Sequence, residues 1–223
     1  MTRVADEPGI VLHTRPYRES SLIVSALTLD HGRISVVAKG VRGRRRGRDL
    51  QPFAEGRFGW TGRSSLGTLT TFEVSEQHWF QGNRLASAFY LAELLTRLLG
   101  ERESHPRLFA ALHWALSTLD EEPARSLRSF EKVLLEELGY GLDFTADLDG
   151  RPIEDSVSYE LLPDQGFAPA KEGVRGDLLK GIGQERFDDA AVRRAARTLF
   201  AEALAHQLGP RPLESRKLLV RDS

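Results

Sequence analysis

Ser21-Leu22-Ile23-Val24-Ser25-Ala26-Leu27-Thr28-Leu29, then Asp30-His31-Gly32, then Arg33-Ile34-Ser35-Val36-Val37-Ala38-Lys39 is the stretch on which the fold turns. Two runs rich in β-branched and aliphatic residues flank a three-residue turn that ends in glycine, which is the pattern of a hairpin. In the second run Ile34, Val36 and Ala38 face one way, as in a half-buried strand. Upstream, Ile10, Leu12 and Thr14 alternate with Val11 and His13 and give a strand before the hairpin. Downstream, Gly56 to Thr61 (with Phe58 and Trp60) and Gly67 to Ser75 (with Leu69, Thr71 and Val74) give two more, joined by a turn at Gly62-Arg63-Ser64-Ser65. Five short strands packed into roughly seventy residues predict a small closed barrel, with an oligonucleotide-binding (OB) type leading and an SH3-like barrel as its rival.

Between the third and fourth strands lies Lys39-Gly40-Val41-Arg42-Gly43-Arg44-Arg45-Arg46-Gly47-Arg48, with six positive charges and no negative one. The whole chain has 31 basic and 32 acidic residues, so everything outside these ten residues carries net −7. Residues 1–80 carry net +4 and residues 81–223 net −5, so the barrel is the half suited to a polyanion. Barrels of this kind hold single strands with a basic groove and exposed aromatics. Phe53, Phe58, Trp60 and Phe72 are candidate stacking residues, although filling the barrel interior is the stronger reading for most of them.

At Asn83 the period changes. Leu85, Ala88, Phe89, Ala92, Leu95, Leu98 and Leu99 form a helical stripe that stops at Gly100. A second helix fits His105 to Leu119, a third opens at Asp120 to Pro123 and closes at Gly139, and a fourth runs from an N-cap at Asp188 to Gly209. The resulting architecture is α+β: an OB-type barrel over 1–80, followed by an α-helical bundle over 81–223. Residues 141–185 are an irregular insert, too long for an idle loop, and read as short strands or a mobile segment. Asp143, Asp147 and Asp149 do not have the spacing of a calcium loop, and no closing glutamate stands in place.

Composition narrows the function classes. The absence of cysteine excludes disulfides and thiolate metal sites. No apolar run reaches the length of a membrane span, and the start of the chain lacks the apolar core of a signal peptide, so a cytoplasmic location with no membrane partner is expected. Phosphate-loop and dinucleotide motifs are missing, and His13, His31, His78, His105, His113 and His206 show no metal-binding spacing. No serine has an identifiable base, and the acids do not form a nuclease-like cluster in sequence. Binding without catalysis, cofactor or metal is therefore expected.

Several stretches together resemble the bacterial RecO family of recombination mediators. They are Arg15-Pro16-Tyr17-Arg18-Glu19-Ser20-Ser21, Gly32, Lys39-Gly40-Val41-Arg42 and Leu50-Gln51-Pro52-Phe53. In the helical part they are Ala88-Phe89-Tyr90-Leu91-Ala92-Glu93-Leu94, Phe130-Glu131, Leu134-Leu135, Leu138-Gly139-Tyr140 and the run from Leu208 to Arg216. The resemblance covers nearly the whole chain, and its order and spacing are more specific than any one motif. It implies a nucleoid-associated protein of DNA repair that binds single- and double-stranded DNA and anneals complementary strands. It also implies partnership with RecR, with the acidic C-terminal tail of single-strand-binding protein (SSB), and with RecF as a further candidate, in loading RecA. Many members carry a four-cysteine zinc site in the insert; this chain has none of those cysteines, so no structural zinc is expected there.

The DNA-binding residues expected are Lys39, Arg42, Arg44, Arg45, Arg46 and Arg48, with Arg15, Arg18, Arg33 and Arg57 as weaker flanking candidates. Neutralising phosphates needs charge and reach, and a flexible Gly/Arg loop supplies both. For the SSB tail the candidates are Arg125, Arg128 and Lys132, of which residues 128 and 132 share one helix face. Two other classes stand beside this reading: an RNA-binding OB protein, separable by ribo- against deoxyribo-oligomer competition, and a protein adaptor whose basic loop takes an acidic partner.

Overall fold

The computed structural model describes residues 3–43, 45–62 and 65–218, with the side chains of residues 45 and 46 outside the description. Strands β2 (Ser21–Thr28) and β3 (Gly32–Ala38) form the expected antiparallel hairpin, with Leu22 opposite Ala38 and Thr28 opposite Gly32. Gly32 has a φ of 62°, and a Cβ there would sit 1.8 Å from the Glu103 carbonyl oxygen, so both the turn and the close approach demand glycine.

Strands β1 (Arg3–Tyr17), β4 (Ala54–Thr61) and β5 (Leu66–Gln77) complete the sheet. The order β1-β2-β3-β5-β4 closes into a barrel because β4 pairs back onto β1. Every pairing is antiparallel except β3 with β5, which runs parallel through Ser35–Leu66, Val36–Gly67 and Val37–Thr68. Parallel neighbours cannot be joined by a tight hairpin. The chain leaves β3, forms β4 on the other side of β5, and returns through β5, so the β3–β4 connection crosses one end of the barrel.

Inward-facing Val11, Val24, Ala26, Ile34, Val36, Phe58 and Trp60 fill the interior. Each large apolar side chain buried there stabilises the barrel by about 1.5–3 kcal/mol. The aromatics therefore serve as core: Phe53, Phe58 and Trp60 are buried, and the half-buried Phe72 packs on Phe58 at 4.4 Å between ring centres.

The change from strands to helices falls where the periodicity places it, but the two compact units divide elsewhere. One comprises residues 1–117 and 213–223, the other residues 118–212. The first unit adds α2 (Gly82–Leu98), α3 (Pro106–Thr118) and a final 3-10 turn (Glu214–Leu218) to the barrel. Glu93 on α2 accepts the backbone N–H groups of Glu214 and Ser215, both at 2.8 Å, and so ties the terminal turn down. Burial pushes the Glu93 carboxyl up, but these N–H groups, the Ser215 side chain and the Arg97 charge outweigh it and leave it below the ordinary value.

The second unit holds α4 (Pro123–Glu137), β6 (Ser158–Leu162), β7 (Gly166–Ala170), β8 (Val174–Arg175), α5 (Gly176–Gly183) and α6 (Ala190–Leu208). Pro123 opens α4, where its missing N–H is no loss. The N-cap of α6 is Asp189, one residue beyond the expected Asp188; its carboxylate accepts from Ala191 and Val192. The insert contains the expected short strands, ordered β7-β6-β8, and in addition the helix α5. Glycines at 176, 181 and 183 hid the helical period, yet a Cβ at Gly181 would lie 2.7 Å from Val192, so close packing requires that glycine. Phe144, Ile153, Tyr159, Phe167, Leu179 and Phe187 are all buried and supply an apolar core in a region free of cysteine. No helix among the described residues is long and apolar enough to cross a membrane.

Candidate nucleic-acid interface

The β3–β4 connection is pinned at its base. Val41 and Leu50 are buried in the barrel core, the Arg42 N–H donates to the Ser20 carbonyl at 2.9 Å, and Gln51 Nε2 donates to the Gly47 carbonyl at 3.2 Å. A single helical turn, α1 (Arg45–Asp49), forms the return leg, and a Cβ at Gly47 would lie 2.4 Å from the Val41 carbonyl. Gly40 and Gly43 have φ of 65° and 77° and make the outward bends. The expected flexible loop is thus an anchored arch, because its two apolar residues are drawn into the core.

Beside the arch, the β1–β2 turn, the end of β3 and the start of β5 enclose an open cleft of about 750 Å³ lined in part by Tyr17, Arg18, Lys39, Gly40 and Thr68. Arg18 has the left-handed φ of 52°, uncommon for a residue with a side chain, and its guanidinium lies over the Tyr17 ring at 5.2 Å. Lys39, Arg42, Arg48, Arg15 and Arg18 are exposed, and none has an acidic partner among the described residues. Arg44 and the side chains of Arg45 and Arg46, the expected tip, lie outside the described residues.

Arg33 and Arg57 behave differently. Arg33 donates through Nε and Nη2 to the Leu99 carbonyl, and its Nη1 is 3.7 Å from Glu101, so it is tied to the segment after α2. Arg57 grips Asp6 through Nε and Nη2 at 2.8 and 2.6 Å; that hydrogen bonding, helped by the paired charge, holds the Asp6 carboxyl below its ordinary value against desolvation. Both are committed within the fold rather than presented with the rim.

The α4 cations are likewise paired. Arg128 is buried and lies 2.9 Å from Glu131, which is 1% exposed; Lys132 reaches Glu185 at 3.0 Å and the Gly183 carbonyl at 3.2 Å; Arg125 meets Glu122 at 3.3 Å. These residues are internally neutralised: Arg128 and Lys132 within the fold, Arg125 in an exposed pair.

Two features escaped the sequence reading. Trp79, just after β5, is 75% exposed, and Tyr17 lines the cleft, so the aromatic surfaces open to solvent are not the four expected. The other is a cluster around Glu55 on β4. Glu55 Oε1 is 3.0 Å from His78 Nε2, and Glu55 Oε2 is 2.7 Å from His113 Nδ1. Burial raises the Glu55 carboxyl, but hydrogen bonds from both imidazoles and their charge prevail and leave it below the ordinary carboxylate value.

Comparison with known proteins bears on the whole chain. The family model described as "Recombination protein O N terminal" matches residues 1–78, and "Recombination protein O C terminal" matches residues 80–217. Proteins named "DNA repair protein RecO" are similar over nearly their full lengths. The one from Tolumonas auensis is 41% identical over 229 residues, covering 98% of this chain and 96% of its own. That from Cellvibrio japonicus is 40% identical over 234 residues and covers 99% of each. That from Methylococcus capsulatus is 39% identical over 235 residues, covering all of this chain and 96% of its own.

Proposed function

The chain belongs to the recombination protein O family, whose relatives above are named as DNA repair proteins, and from that premise we propose that it binds DNA backbones at the barrel rim and anneals complementary strands. One observation carries the reading: Lys39, Arg42 and Arg48 of the arch, with Arg15 and Arg18, stand exposed without acidic partners among the described residues in a chain that is otherwise net negative. An exposed cation whose charge is not already spent can exchange counterions with phosphate. The arch holds Lys39, Arg42 and Arg48 on a fixed base, so binding does not have to order a long free loop.

The mechanism is electrostatic and non-covalent. Rim cations screen the phosphates of two strands and lower their mutual repulsion, while the base edges stay free to pair. Phosphate contacts carry no base identity, so sequence preference is weak. The work needs no bond cleavage, nucleotide or cofactor. RecR, the SSB tail and, as a further candidate, RecF are the protein partners that the family reading brings, acting with this chain on RecA loading in the bacterial cytoplasm. The α4 cations are a poor place for the SSB tail, because an acidic peptide would have to displace Glu131 and Glu185.

The test is annealing of complementary oligonucleotides without nucleotide or added metal, over a range of salt. The expected result is acceleration that fades as salt rises. Rates equal to the protein-free control at every salt would remove the mechanism.

A further inference from the structure

Glu55, Glu76 and His78 are spread along the sequence, but the β4–β5 pairing sets Glu55 directly opposite Glu76, and His78 follows at the end of the strand. One carboxylate oxygen from each glutamate and one ring nitrogen of His78 lie within 4.8 Å of one another. Glu55 Oε1 is 3.0 Å from His78 Nε2, and Glu76 Oε1 approaches the other ring nitrogen, Nδ1, at 3.8 Å. Metal–nitrogen and metal–oxygen bonds of about 2.1 Å at tetrahedral angles place neighbouring donors about 3.4 Å apart. A single ion takes only one nitrogen of an imidazole, so the site rests on one donor atom from each residue; these lie at most 4.8 Å apart, close enough to about 3.4 Å for side-chain rotation to bring them together.

The surroundings suit an ion. His113 Nδ1 holds the second oxygen of Glu55 at 2.7 Å, the arrangement by which an outer partner orients a ligating carboxylate. The His78 ring stacks on Phe80, 6.1 Å between centres and 4° apart in plane, which limits its rotation. No lysine or arginine pairs with Glu55 or Glu76 among the described residues. The side chains of Glu55 and His78 are 11% and 8% exposed while that of Glu76 is 54% exposed, so the cluster is closed behind and open in front. Mixed imidazole and carboxylate donors without thiolate favour a borderline divalent ion.

We propose that Glu55, Glu76 and His78 form a binding site for a divalent transition-metal ion of the Zn²⁺ or Ni²⁺ class, with His113 orienting Glu55 and water filling the open side. The bound ion clamps β4 to the end of β5, just before α2 begins. This is independent of the rim: the donors differ, and DNA binding needs no ion.

The experiment titrates chelator-stripped full-length protein with Co²⁺, following its visible ligand-field absorption, and then displaces it with Zn²⁺. One equivalent with the intensity of a four- or five-coordinate site is expected, fully displaced by Zn²⁺. Glu76→Gln, a change at a half-exposed side chain that leaves the fold intact, weakens affinity at least about tenfold. His78→Ala abolishes the band, with circular dichroism confirming the fold. His206→Ala, which removes the separate imidazole beside Asp164, leaves the band unchanged. Wild type and Glu76→Gln binding equally, a signal lost in His206→Ala, or no band at all would each overturn the proposal.

Discussion

At the barrel rim Lys39, Arg42 and Arg48 face outward with no acidic partner among the described residues, whereas Arg125, Arg128 and Lys132 of α4 are each matched to a glutamate. In the sequence the two groups look alike, as basic residues a few positions apart. They differ in what folding places beside them. The rim segment holds no acid from Lys39 to Arg48, and its apolar residues turn inward and lift the cations out. The α4 segment has Glu122 and Glu131 at helical spacing from its arginines and meets Glu185 from a distant part of the chain. On the proposed reading, polyanion binding follows the unspent charge and not the count of basic residues.

The sharpest way to break this contrast is a pair of truncations. Arg128→Ala leaves Glu131 buried without its cation and lowers stability by about 3 kcal/mol, with no change in the salt dependence of DNA binding; urea unfolding checks the first and a filter-binding titration the second. Lys39→Ala with Arg42→Ala does the reverse. The double variant unfolds with the wild-type midpoint but flattens the plot of log K against log salt by about 1.4 for single strands. If the α4 variant shifts the slope and the rim variant does not, the assignment of roles is inverted.

Arg33 and Arg57 refine the contrast within the barrel itself. Arg57→Ala leaves the DNA salt slope unchanged, because that charge is already held by Asp6. Arg33→Ala also leaves the slope unchanged but lowers the melting temperature, since the Leu99 carbonyl loses its guanidinium donor and Glu101 keeps only Ser35 and the backbone bridge on β3. A slope change in either would enlarge the rim to include the barrel wall.

The smallest effect concerns acid. Glu55 has a carboxyl held below its ordinary value. A depressed carboxyl contributes stability that is present above its unfolded value, about 4.3, and is lost as pH falls through the lower folded value. Denaturant midpoints should therefore decline below about pH 4.3 in wild type, and decline less steeply in Glu55→Gln.

Much of this was legible because it is local. Alternation in β2 and β3, the glycine of their turn, the stripes of α2 to α4 and the acid-free basic run are all properties of neighbouring residues. What escaped depends on distant contacts or on masked signals. Glycines interrupt α5, and the shift of the α6 cap from Asp188 to Asp189 is a choice between two adjacent equivalent residues. Arg33, Arg57 and Lys132 find their partners 51 to 68 positions away, where no pattern in the sequence announces them. The aromatics were ambiguous for a related reason: a barrel core and a stacking platform call for the same side chains, and only closure of the sheet decides between them.

The central claim is that the Lys39–Arg48 arch holds DNA backbones by charge. A salt-dependent single-strand binding titration, run on wild type and on the Arg44→Ala, Arg45→Ala, Arg46→Ala triple variant, tests it most directly. With about six phosphates neutralised, the wild-type slope of log K against log salt should be roughly −4, and the triple variant should flatten it by about two units with weaker binding at low salt. Unchanged affinity and slope in the triple variant would contradict the account and move the DNA site off the arch.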